Sequence, residues 1–173
     1  MSNYIKHFLT VTCHRNKVLI NCIKAGIPLQ GLMHDLSKYS PTEFIPGGKY
    51  YQGFRSPNEK ERETVGHSAA WMHHKGRNKH HFEYWTDYDF KTKTVKPVPM
   101  PDKYIVEMFC DRVAASKNYM GSNYSNESPL NYFLKGKKTR FIDSGTSDKI
   151  EFLLRMLAEK GEKETFTYIR KRF

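Results

Sequence analysis

The stretch PDKYIVEMFCDRVAASKNYMG, residues 101–121, reads as one helix with a single charge out of place. Its apolar positions recur every three to four residues, the spacing of one α-helical face. Pro101 stands at its opening and Gly121 at its close, as helix ends prefer. Tyr104, Met108, Asp111 and Ala115 share one face, and Ala114 and Ala115 are small enough to let a neighbouring helix approach closely. That face is apolar apart from the Asp111 carboxylate. A carboxylate so placed requires a cation, an arginine or strong hydrogen bonds.

Outward from this segment the same helical period continues. Residues 3–25 carry a stripe of Ile5, Phe8, Leu9 and Thr12, with Gly26 as the stop. Pro28 opens a second helix through Leu29, Leu32, Met33 and Leu36. Ser40-Pro41-Thr42-Glu43 reads as a capping box, with Gly47-Gly48 breaking or bending the helix that follows. Residues 58–76 predict one helix, acidic at its start, and residues 86–99 a loop or short hairpin. Ser128-Pro129 begins a short helix, and Thr146 or Ser147 caps a last one ending at Gly161. No strand–helix–strand rhythm appears, so the expected class is all-α, in a single domain over residues 1–173.

Composition narrows the function. Lysine and arginine number 29 against 18 aspartate and glutamate, a net charge of +11, which points to an anionic partner: a nucleotide, a nucleic acid or an anionic surface. The densest basic run, YIRKRF at the C-terminus, reads as a solvated helix end. Cys13, Cys22 and Cys110 form no pair motif, which argues against a disulfide framework or a zinc ribbon and fits a reducing cytoplasm. No signal-peptide pattern or membrane-length apolar segment is expected.

Eight histidines occur, five of them in HSAAWMHHKGRNKHH, residues 67–81. Imidazole is the commonest protein metal ligand, and carboxylates suit the same ions. His7 and His14 share a face of the first helix, so one of the two can point inward. His34 and Asp35 are adjacent and, on a helix, differ by about 100° in direction; an ion lying between those directions is within reach of both. His67, Trp71 and His74 share a face, whereas His73 points elsewhere, and His80 and His81 open the next short helix after a break at Gly76-Arg77-Asn78. Trp71, Phe82, Tyr84 and Trp85 are core residues or walls of a base-binding pocket. A salt bridge would also account for Asp111; the histidine excess favours a metal.

The order His14, His34-Asp35, a histidine group, Asp111 resembles the HD-domain superfamily of metal-dependent phosphohydrolases. The resemblance implies a helical bundle of about six to eight helices. It also implies one ion on His14, His34, Asp35 and Asp111, and a second on His74 with His80 or His81. The histidine pair followed by Glu83 looks like part of a related branch whose further GYP element is missing here. The chain is most similar to a small uncharacterised family of HD-like proteins of bacteria and phages, through HDLSKYSPTEF, WxHHxxRNKHHxxYW and MPDKYxxEMxxD. Arg112 departs from the tryptophan expected after that aspartate. Lys38 completes HDxxK, and in related phosphohydrolases that lysine faces the phosphate.

The expected chemistry is hydrolysis of a phosphate ester of a nucleotide, with one or two divalent ions (Mn, Fe, Co, Ni or Zn) activating a water. Lys38 and Arg77 would clamp phosphate oxygens, Asn78 and His81 would also contact substrate, and Asp35 or Glu83 would take the water proton. Three alternatives share parts of the pattern. A di-iron oxygenase uses a similar ligand set, a basic helical protein would bind nucleic acid or a host factor, and an HNH nuclease would need a strand–turn–strand where the sequence reads as helix.

Overall fold

In the computed structural model, which describes all 173 residues, eight α-helices and one small hairpin follow one another in the order α1 (Asn3–Ala25), α2 (Pro28–Met33), α3 (Pro41–Lys49), α4 (Pro57–Val65), α5 (Ala69–Lys75), β1 (Thr86–Asp89), β2 (Thr94–Pro97), α6 (Asp102–Met120), α7 (Ser128–Lys135) and α8 (Ser144–Arg172). The fold is mostly helical, with the hairpin as its departure from an all-α design. Thr86 pairs with Pro97 and Asp89 with Thr94 in antiparallel register. No helix is long and apolar enough to cross a membrane.

α1 and α6 are the structural axis. α1 packs on α2, α3, α6 and α8, while α6 also meets α7 and α8. One side of this pair is the apolar core: Val18 and Cys22 of α1, Ile105, Phe109 and Val113 of α6, Phe133 of α7, and Ile150, Leu153, Leu154 and Leu157 of α8 are all fully buried. Each such side chain contributes roughly 1.5–3 kcal/mol through apolar burial. The other side, facing α2, α3, α5 and the 76–81 loop, is where the buried histidines and carboxylates collect.

Several boundaries differ from the sequence expectation, each for a local reason. α2 ends at Met33 instead of running through Leu36, because Asp35 takes a left-handed backbone with φ 53°. The 58–76 segment is two helices, split at Gly66 with φ 82°, and Ser68 caps the second by accepting from Trp71 N. Gly47 and Gly48 do not break α3; a Cβ at either position would overlap the ring of His7 or Tyr4, so their role is close packing on α1. The last helix is capped by Asp143, which accepts from Thr146 N, and Gly161 is a kink with φ 79°, not an end. Beyond that kink Phe166 returns to the core, its ring 5.7 Å from Phe109.

Candidate metal centre

The break after α2 builds the centre. His34 leaves the helix with ψ 128° and Asp35 turns left-handed, so the two side chains point into the protein rather than lying about 100° apart around a helix. Asp tolerates this conformation better than most residues. Arg15 holds the turn by donating to the carbonyls of Leu32 and His34 at 2.9 and 2.7 Å. Both side chains are buried, at 2% and 1% exposure, so every polar atom on them needs a partner.

Asp35 stands between two groups of donors. Its Oδ2 lies 3.4 Å from His34 Nε2, and His34 Nε2 in turn is 3.8 Å from Asp111 Oδ1. His14 Nε2 reaches the same Asp111 oxygen at 3.0 Å. On the opposite side, Asp35 Oδ1 lies 3.3 Å from His74 Nε2 and 3.4 Å from His80 Nε2. His81 Nε2 closes that group, 2.8 Å from His74 Nε2. The residues His14, His34, Asp35, His74, His80, His81 and Asp111 are thus brought together in space, as two clusters sharing one carboxylate.

Two glutamates orient these rings, Glu107, whose sequence setting gives no sign of a site, and Glu43, whose pattern reads as a helix cap. Glu107, one turn before Asp111 on α6, places Oε1 3.0 Å from His34 Nδ1 and 3.1 Å from His80 Nδ1. Its other oxygen accepts from Gln30 Nε2 at 3.0 Å. Glu43 accepts from His74 Nδ1 and His73 Nδ1, both at 2.7 Å. With Nδ1 engaged, His34, His74 and His80 turn Nε2 to the centre, the arrangement in which a carboxylate orients a metal-ligating histidine. Glu43 consequently does not close a capping box; Ser40 makes no side-chain cap and its hydroxyl is buried without a partner.

The donor set fits a divalent cation. His34 Nε2, Asp35 Oδ1 and His80 Nε2 are buried with no hydrogen-bond partner, and each imidazole nitrogen lies 3.4 Å from an oxygen of Asp35. An ion with bonds of about 2.1 Å spaces tetrahedral ligands about 3.4 Å apart and octahedral ones about 3.0 Å, which brackets most of the separations found. Charge agrees: among Asp35, Glu43, Glu107 and Asp111, the only ion pair with a lysine or arginine is Lys38 Nζ to Asp35 Oδ2, at 2.8 Å. Protonated imidazoles or cations must balance the rest. Mixed nitrogen and carboxylate donors suit Mn, Fe, Co, Ni or Zn over Mg.

Titration follows the same pattern. Burial opposes the charged form of Asp35, yet His34, Lys38 and His74 outweigh it and hold the carboxyl well below the usual range. Asp111 is held low in the same way against burial, chiefly by His14. Burial opposes the charged form of Glu107 too, yet the two imidazoles that donate to it draw it down to about 2. Burial lowers His34 and His81, keeping them neutral. His74 and His80 are raised, because Asp35, Glu43 and Glu107 more than offset their burial.

A cavity of about 660 Å³ opens onto the cluster, with His14, Lys38, His74, His81 and Asp111 in its wall. Trp71 and Phe82 also line it, whereas Trp85 stacks on Tyr104 at the edge of the core and Tyr84 is exposed. Other expected residues lie elsewhere. Arg77 faces solvent outside the cavity, bonded to the His73 carbonyl of the preceding turn. Asn78 is a bracket rather than part of the wall, donating to Ser37 Oγ and the His74 carbonyl, both at 2.8 Å. Glu83 lines the cavity but stands apart from both donor clusters. His67 is exposed in the turn before α5, off the face it was expected to share with His74, and His7 is buried against Phe44 and Tyr51. His73 is not turned away but held by Glu43.

Fold and site together define a helical protein with a buried histidine–carboxylate centre at the head of a cavity. The chain belongs to the family described as a family of unknown function, DUF5662, which matches residues 3–156. No curated protein and no solved structure matches it.

Proposed function

We propose that this protein is a metal-dependent hydrolase of phosphate esters, with a nucleotide as its substrate. The observation that carries the proposal is the placement of Asp35 between two sets of Nε2 donors, at 3.3–3.4 Å from three imidazoles, beside an open cavity. Divalent ions held by His14, His34, Asp35 and Asp111, and by Asp35, His74, His80 and His81, would supply a water of lowered pKa and an electrophile for the phosphoryl oxygen.

The chain's own groups do the rest. Glu107 and Glu43 hold the Nδ1 of His34, His80 and His74, which turns each Nε2 inward where an ion would displace any proton it carries. Lys38, held fully charged by Asp35 and Asp111 against its burial, presents an ammonium at the cavity wall where a phosphate oxygen would arrive. Asp35 has both oxygens committed to the donor clusters and Lys38, so it serves as the shared ligand. The aromatic wall gives a base or sugar an apolar surface.

Elemental analysis of the purified chain, followed by a nucleotide-phosphatase panel with Mn, Co, Ni and Mg, tests the proposal. The expected result is bound transition metal and phosphate release that a chelator removes and added metal restores. Absence of phosphate release from every nucleotide by metal-replete protein would overturn it. The five histidines of the two clusters around a shared carboxylate also favour a second reading, dioxygen chemistry at two irons; aerobic iron content, colour and oxygen uptake separate the two.

A further inference from the structure

Outside both donor clusters, the cavity wall carries a carboxyl and a guanidinium that do not meet. Glu83 Oε2 and Arg112 Nε are both buried, and neither has a hydrogen-bond partner in the protein. Both side chains line the cavity, yet no ion pair joins them, and the Arg112 guanidinium finds only the Met108 sulfur at 4.0 Å. Burying a charged group without a partner is costly, and folds rarely keep two such groups close together without use.

The neighbouring Arg140 shows how Arg112 is held. Arg140 donates to the Phe133 and Tyr132 carbonyls at the end of α7. Its guanidinium and that of Arg112 both pack on the Phe133 ring, 4.7 and 5.4 Å from the centroid. Arg140 is therefore satisfied by protein, while Arg112 is positioned but left with donors to give. Phe82, just before Glu83, and Tyr132 add flat surface to the same cavity.

We propose that Glu83 and Arg112 form a base-reading subsite that selects guanine. The phosphate-ester reading enters only in saying that the substrate's phosphate lies at the metal end. A carboxylate can accept from two adjacent N–H groups, and guanine offers N1–H and N2–H together. A guanidinium can donate to two adjacent acceptors, and guanine offers O6 and N7. Adenine sets an amino donor against the arginine, and the pyrimidines lack one of the two paired edges. Guanine alone among the common bases satisfies both buried charges twice. A cavity of about 660 Å³ has room for a base, its sugar and a phosphate.

The test uses phosphate-free nucleosides on the full chain, so that binding is read without hydrolysis. Guanosine is expected to bind about 10- to 100-fold more tightly than adenosine, cytidine or uridine, the range of a charge-assisted hydrogen bond. Glu83→Gln and Arg112→Met should each erase that preference while leaving Tm unchanged or raised, because each removes an unpaired buried charge. Equal binding of the four nucleosides by the unmodified protein would overturn the proposal, as would a guanosine preference that survives both substitutions. Hydrolysis of all four nucleotides at equal efficiency with no nucleoside preference would sink the subsite and leave the hydrolase standing. A guanosine preference without any phosphate release would do the reverse.

Discussion

Glu107 Oε1 lies 3.0 Å from His34 Nδ1, so this carboxylate on α6 decides which nitrogen of the ring in the α2 break faces the centre. The same oxygen holds His80 at 3.1 Å, which ties the two donor clusters to one buckle. Glu107→Gln keeps the shape but sets an amide NH₂ against either Gln30 or the two imidazole N–H groups. Metal affinity is expected to fall about 10- to 100-fold, the usual cost of losing such a partner. Competition with a coloured chelator measures it, alongside circular dichroism to show that the helices persist. Unchanged affinity would mean that Glu107 does not orient the ligands.

Asp35→Asn is a sharper test, because asparagine also accepts the left-handed backbone that position 35 adopts, at φ 53°. The fold should survive while both donor clusters lose their shared oxygen ligand. The expected outcome is metal affinity lower by about two orders of magnitude or more, and disappearance of any metal-induced rise in Tm. A variant that still binds two ions would show that Asp35 is merely an ion-pair partner of Lys38.

Much of this architecture is visible in the sequence, and the exceptions share a cause. α1 with its Gly26 stop and α6 between Pro101 and Gly121 announce themselves because a long apolar stripe at helical period needs nothing beyond local information. The convergence of His14 and Asp111 follows, since both sit on the inward faces of those helices. The turn at His34-Asp35 does not: no glycine marks it, and the left-handed residue is an aspartate held in place by Arg15 and the packing around it. Glu43 and Glu107 are similarly hidden. Glu43 matches a capping pattern that the fold does not use, and Glu107 looks like any surface acid until the 76–81 loop brings His80 against it. The kink at Gly161 is masked because the helix resumes beyond it.

Glu43 touches only one of the two donor clusters. It fixes His74 through Nδ1 at 2.7 Å and makes no contact with His14, His34 or Asp111. Glu43→Gln should therefore loosen the Asp35, His74, His80, His81 group and spare the other. Titration with Mn or Co is expected to show two binding steps in the parent protein and, in the variant, a second step weakened about 10-fold or more with the first unchanged. Equal weakening of both steps would indicate that the two clusters behave as one site.

His7 gives a prediction about pH that is separate from the centre. Its imidazole is packed against Phe44 and Tyr51, with ring centroids at 5.5 and 6.0 Å. The Gly47 backbone lies so close that a Cβ there would overlap the ring. Burial lowers its pKa to about 4, and the Lys38 ammonium pushes in the same direction. An unfolded chain takes this proton near 6.5, so the stability carried by neutral His7 is complete above that pH and is lost as the pH falls toward the folded value. At 1.36 kcal/mol per unit the loss by pH 4.5 amounts to about 2–3 kcal/mol, as an upper figure. Urea unfolding in excess chelator, at pH 7 and pH 4.5, compares the parent with His7→Gln. The parent should lose about that much more stability between the two conditions than the variant, whose side chain does not titrate. Parallel losses in the two proteins would mean that His7 takes its proton as readily folded as unfolded, and that the acid sensitivity belongs to the carboxylates and imidazoles of the centre.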